Sequence, residues 1–203
     1  MTIDTKDMLK SILSSISRIE YVRPGDIPNI DLYMDQVTTF MEEQLHSTKR
    51  HNDDKILTKT MINNYAKNNL LPPPVKKKYS KEHVLVMIFI YYFKNILSIK
   101  DIETLLAPIT EKCFDAEEEL DMVSIYNEIC KLEKSRIASL QKDVARSYHS
   151  STECFNDAPK EDQDYLQLFA FICSLSFDVY IKKLLIEKLI DQLPEPGREK
   201  KKK

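Results

Sequence analysis

The chain has 203 residues, 42% of them hydrophobic, enough for one large domain or two small ones with a core. Only two glycines and no tryptophan occur, which argues against a sheet-rich fold with tight hairpins and against glycine-rich phosphate loops; an all-α fold is expected. The formal net charge of −2 hides an asymmetry, because His46–His83 carries nine Lys or Arg against three Asp or Glu, while Thr110–Leu193 carries ten basic and seventeen acidic residues. A basic island in an acidic chain is the electrostatic footprint expected of a DNA-binding module.

In chain order, Met8, Ile12, Ile16 and Ile19 recur every three or four residues and predict an amphipathic helix within Met1–Glu20. Pro24-Gly25 and Pro28 mark a loop, so residues 1–30 read as an N-terminal helix and loop. Asp31 can cap a helix over Leu32–Leu45, whose apolar stripe includes Val37, Phe40, Met41 and Leu45. His46–Asp54 is polar and reads as a surface loop, where Lys49, Arg50 and His51 could meet a DNA backbone or simply be solvated.

The stretch Thr58–Lys81 holds the most chemistry. Thr58 suits an N-cap. At about 100° per residue, Met61, Ile62, Tyr65 and Leu70 share one face of the helix that follows. Thr60, Asn63, Asn64 and Lys67 fall opposite, with Lys59 at the helix start. That polar face contains no carboxylate. It fits a solvated face of a small amphipathic helix. It also fits a recognition helix over Thr58–Leu71, because Asn can read adenine with two hydrogen bonds and Thr and Lys reach bases or phosphates. Pro72-Pro73-Pro74 is the expected helix stop. Lys76, Lys77, Lys78 and Tyr79 then form a basic segment, Pro74–Tyr79, whose ammonium groups can meet phosphates without base preference.

Ser80 is the expected cap of a helix containing the ten-residue apolar run Val84–Phe93. His83 at its start is expected to pack or cap. Ser98 with Asp101 resembles a capping box for a short helix, Ile99–Leu106, ending before Pro108. A domain boundary is placed at Pro108–Asp115. Beyond it, Leu120, Val123, Tyr126, Cys130, Ile137, Leu140 and Val144 recur along one long helix, with Glu133 interrupting the stripe. His149–Asp164 is a polar connection, and Tyr165–Leu193 is a second, strongly apolar helix. Its uncharged part is shorter than the roughly 20 residues a bilayer span needs, so no membrane span is expected. Residues 194–203 read as a disordered basic tail.

Thr58, Ile62, Tyr65, Leu70-Leu71, Pro72-Pro73 and Tyr79-Ser80, continued by Ser98-Ile99, Ile102 and Leu105-Leu106, resemble the start of the winged-helix DNA-binding domain of MerR-type transcription regulators. The likeness covers Thr58–Leu106. It departs at Asn63-Asn64, where that family carries an Arg-Tyr pair, and in a short wing that has no glycine. The chain also resembles a family of uncharacterised bacterial proteins sharing the blocks KTMINNYAK and PPPVKKKYS. The resemblance implies a MerR-like helix-turn-helix domain over 31–109, with Pro74–Tyr79 as the wing. It is followed by a helical dimerisation or effector region over 116–193.

No nucleophile elbow, Walker loop, zinc-protease motif or aspartate cluster is present, so no enzyme activity and no cofactor are expected. Cys113, Cys130, Cys154 and Cys173 have no metal-ligand spacing and are expected to be buried free thiols in a reducing cytoplasm. The expectation is a cytoplasmic, dimeric regulator that binds double-stranded DNA through Lys59, Thr60, Asn63, Asn64, Lys67, Lys76, Lys77, Lys78 and Tyr79. It would pair as a homodimer through its C-terminal helices, its small-molecule effector unspecified. The alternative is a helical protein–protein adaptor that has lost DNA binding.

Overall fold

A computed structural model describes residues 5–16, 22–114 and 120–194. Among these, the elements are α1 (Thr5–Ile16), β1 (Leu32–Tyr33), α2 (Met34–Leu45), a 3-10 turn (His46–Thr48), α3 (Lys59–Lys67), β2 (Lys78–Tyr79), α4 (Lys81–Phe93), α5 (Ile99–Cys113), α6 (Met122–Thr152) and α7 (Lys160–Ile190). The fold is mostly helical, with one small two-stranded sheet. No helix of the described residues is long and apolar enough to cross a membrane. The chain divides into two compact units, Tyr21–Cys130 with Ile186–Lys203, and Met1–Glu20 with Lys131–Leu185. The divisions therefore fall inside α6 and inside α7. Most of the tail, and the ends of the expected first helix, lie outside the described residues.

The unit built on Tyr21–Cys130 is organised around α4. Val84 through Ile88, and Ile90, have no exposed surface, and His83, Phe89 and Tyr91 are also buried. A helix apolar on every side can persist in water only when neighbours cover all of it. Val37, Phe40, Met41 and Leu45 of α2 join it in the core, as do Ile62 and Tyr65 of α3, Ile102, Leu106 and Cys113 of α5, and Met122 and Tyr126 of α6.

Three local expectations change. Leu32 does not open a helix: Leu32 and Tyr33 pair antiparallel with Tyr79 and Lys78, and α2 starts at Met34. There the Tyr33 N–H donates to Gln36 Oε1 at 2.8 Å, so Gln36, rather than Asp31, satisfies the helix start. α3 ends at Lys67, before the prolines. Asn69 takes a left-handed conformation (φ 55°), and the Leu70 N–H bonds the Tyr65 carbonyl at 2.9 Å while the Asn69 N–H reaches Ala66. This is a Schellman stop, with buried Tyr65 and Leu70 as its apolar pair. Finally, α5 continues through Pro108 to Cys113. Burial of Leu106 and Cys113 on either side outweighs the lost N–H, and the Thr110 hydroxyl donates to the Leu106 and Ala107 carbonyls.

In the second unit, α6 and α7 form an antiparallel hairpin. Tyr148 stacks edge-on to Phe171 at 5.4 Å, and the Gln167 amide donates to the carbonyls of Thr152 and Cys154 at 3.0 and 3.1 Å. Phe155, at φ 57°, makes the bend. All four cysteines are free, but only Cys113 is buried: Cys130 is half-buried, and Cys154 in the turn after α6 and Cys173 on α7 are exposed, contrary to the expected burial.

Candidate nucleic-acid interface

The local chemistry of α3 follows its sequence. Thr58 Oγ1 accepts from the Met61 N–H at 3.2 Å, the expected N-cap. Ile62 and Tyr65 are buried and Met61 is half-buried, whereas Lys59, Thr60, Asn63, Asn64 and Lys67 are exposed. The polar face thus consists of the residues predicted from helical spacing. Within the described residues, no hydrogen bond or ion pair engages the side chains of Thr60, Asn63, Asn64 or Lys67. Lys59 differs, because its ammonium pairs with the Asp35 carboxylate of α2.

The approach to α3 is fixed by contacts between residues distant in sequence. Lys94, at the end of α4, donates to the Ile56 carbonyl at 2.6 Å and lies 4.9 Å from the centre of the Tyr91 ring. Burial pushes the Lys94 ammonium below the usual lysine range. The Tyr91 hydroxyl in turn hydrogen-bonds Thr48 Oγ1. Lys49 is withdrawn from solvent by an ion pair with Glu42, whose carboxyl that bond lowers, so Lys49 is no candidate backbone contact. No sequence signal pairs Lys94 with Ile56, since the contact depends on where the α4 end meets the loop.

Residues 75–78 form a two-residue hairpin turn. The Val75 N–H donates to the Lys78 carbonyl at 3.1 Å, and the Lys78 N–H to the Val75 carbonyl at 2.9 Å. Lys76 and Lys77 occupy its centre with φ of 50° and 65°, the type I′ geometry usually filled by Asn-Gly. Both are exposed. Lys78 is half-buried, with its ammonium 5.3 Å from the centre of the Tyr33 ring. Tyr79, expected to face DNA, is instead 4% exposed. Strand alternation turns its side chain opposite to that of Lys78, and it packs edge-on against His83 at 5.5 Å.

His83 has the capping role expected. The Ser80 N–H donates to Nδ1 at 3.0 Å, which leaves Nε2 as the donor, 3.4 Å from the Pro73 carbonyl. This ties the proline segment to the start of α4. The start of α3 and the basic turn are neighbours: Lys59 pairs with Asp35, two residues after Tyr33, and Tyr33 both pairs with and underlies Lys78. The Lys59–Asp35 pair and the Tyr33–Lys78 pairing thus link the start of α3 and the basic turn through the β1–α2 junction.

Comparison with known proteins is sparse. No curated protein and no solved structure matches the chain. A family profile described as "Domain of unknown function (DUF1836)" matches residues 22–129. The match covers nearly all of the continuous part, Tyr21–Cys130, of the unit built on α4. Because the match spans more than half of the 203 residues, the chain belongs to the DUF1836 family.

Proposed function

We propose that this protein is a cytoplasmic, dimeric DNA-binding transcription regulator of MerR-like winged-helix type. In this reading α2 and α3 are the helix-turn-helix pair. α3 enters the major groove, and the Lys76-Lys77 turn is the wing on the phosphate backbone. The observation that carries the reading is the free polar face of α3. Asn63, Asn64, Thr60 and Lys67 are exposed, lack protein partners and contain no carboxylate, the donor and acceptor set that reads base edges. The turn lysines supply the sequence-independent charge.

Dimerisation is supported by α7. Between Tyr165 and Phe177 it has no charged residue, yet Tyr165, Phe169, Phe177 and Tyr180 are 66%, 52%, 63% and 59% exposed. Aromatic side chains present about 150–250 Å² each. With Ile181 and Leu184 the stripe amounts to on the order of 600 Å², at the upper end of the usual largest patch of a monomer and approaching the roughly 800 Å² per partner of a standard interface. A two-fold dimer would present two α3 helices to a palindromic site.

One observation favours the adaptor reading. An open depression of about 380 Å³ beside α2 is lined by Leu32, Phe40, Asp35 and Glu43, and its carboxylates, Glu43 and the Lys59-paired Asp35, suit a basic protein segment better than DNA. The discriminating experiment selects genomic fragments with purified protein and titrates a selected fragment against a scrambled one. The regulator reading expects the selected duplex to bind tighter. Equal affinity for both would falsify it in favour of the adaptor.

A further inference from the structure

Within the unit formed by α1, α6 and α7, the three helices line a cleft of about 340 Å³ that is partly open to solvent at Met8, Ile12, Leu140 and Ile172. Its walls include Leu13 of α1, Leu140 and Val144 of α6, and Phe171, Ile172 and Leu175 of α7. Among the described residues, no Lys, Arg, His, Asp or Glu lines it. Gln141 and Tyr148 carry the polar groups of the lining, and both present carbon to the space, so the wall is almost wholly apolar.

Protein interiors are close-packed, with few voids larger than a water. Water in such a cleft finds no partner on the wall, and an apolar guest that displaces it is favoured, as in the mostly apolar pockets that hold small ligands. We infer that this cleft is a binding site for an uncharged lipophilic small molecule. Its size sets the class. An engineered apolar cavity of about 150 Å³ accepts one benzene, so 340 Å³ has room for about two such rings, as a fused bicyclic or a chain of roughly ten carbons. A charged ligand would have to shed its hydration with nothing to replace it. Because α1 forms one wall, the guest would hold α1 against the α6–α7 hairpin. The inference stands independently of DNA binding, which involves none of these residues.

The test uses the full chain and two neutral probes, naphthalene and 1-decanol, with decanoate as the charged counterpart. Ligand-observed NMR and calorimetry should show saturable one-to-one binding of both neutral probes, and decanoate should bind roughly tenfold or more weakly. Val144→Phe, which fills the space, should abolish binding, while Lys142→Ala on the exposed side of α6 should leave it unchanged. A measurement that needs no variant accompanies these: intermolecular NOEs from naphthalene to the methyl groups of Val144 and Leu175 in methyl-labelled parent protein. Absence of saturable binding up to the probes' solubility would overturn the inference. So would NOEs confined to other residues, or binding lost as protein concentration rises because a second copy fills the space.

Discussion

The hairpin turn offers a perturbation that moves stability and DNA affinity in opposite directions. Lys76 and Lys77 both have positive φ, which costs a non-glycine residue about 1 kcal/mol or somewhat more. The double substitution Lys76→Asn, Lys77→Gly installs the pair that type I′ geometry prefers. It relieves roughly 2 kcal/mol of strain, from which glycine's extra unfolded-state entropy takes back about 0.5–1 kcal/mol. The expected net gain is about 1 kcal/mol, or roughly 3–5 °C in melting temperature for a domain of this size. Melts should be run near 0.5 M salt, where a Debye length of roughly 4 Å screens repulsion among the lysines and isolates the backbone effect. If the turn is the proposed wing, two phosphate contacts also disappear, so the slope of log K against log salt should fall by about 2, with all sequences weakened alike. Circular dichroism melts and fluorescence anisotropy over a salt series read the two effects separately. A lower melting temperature would refute the strain argument. A higher one with an unchanged salt slope would refute the role of the turn in binding DNA.

Asn63→Ala should cost on the order of 1–3 kcal/mol on a selected fragment and leave both the scrambled fragment and the melting temperature nearly unchanged; equal losses on both fragments would exclude base reading. Phe177→Lys together with Tyr180→Lys should convert a dimer to monomer by light scattering at tens of micromolar (about 10–100 μM, well above a submicromolar Kd), and a parent already monomeric there would end the dimer proposal. Pro108→Ala should stabilise the protein by about 1–3 kcal/mol by restoring a helix N–H, read by denaturant midpoint; a loss instead would mean that the ring packs better than a methyl. Burial raises the Tyr65 and Tyr79 hydroxyls above the usual tyrosine range. Their contribution to stability is therefore full below the unfolded tyrosine pKa, near 10, and is lost as pH rises through their folded values. Absorbance titration at alkaline pH should show a late tyrosinate fraction coincident with unfolding, and the double Phe variant should lose that step.

What the sequence disclosed was local and periodic. The two faces of α3, the caps at Thr58, Ser80 and Ser98, and the all-round burial of α4 depend on spacing within a few turns, and each appears as read. Features set by distant contacts were illegible. β1 exists only because Leu32 and Tyr33 meet Tyr79 and Lys78, a pairing no nearby residue announces. The same pairing buries Tyr79, which strand-like exposure alone would have left facing outward. The stop of α3 was misread because three prolines offered an obvious terminator, while Asn69 reached a left-handed conformation first. Lys94 clamps the chain entering α3 through the Ile56 carbonyl, a partner that no local spacing announces.

The burial of α4 has a consequence for the chain before it folds. Val84–Phe93 is a continuous run of β-branched, aliphatic and aromatic residues without charge or proline, the composition of an aggregation-prone segment once exposed. In the unfolded chain nothing covers it. Lys76, Lys77, Lys78 and Lys81 precede the run and Lys94 follows it, the flanking placement by which gatekeeper charges keep such segments from pairing between molecules. These lysines thus protect the nascent protein whatever they touch after folding. Neutralising the turn should therefore lower the refolding yield at micromolar concentration even as it raises the melting temperature.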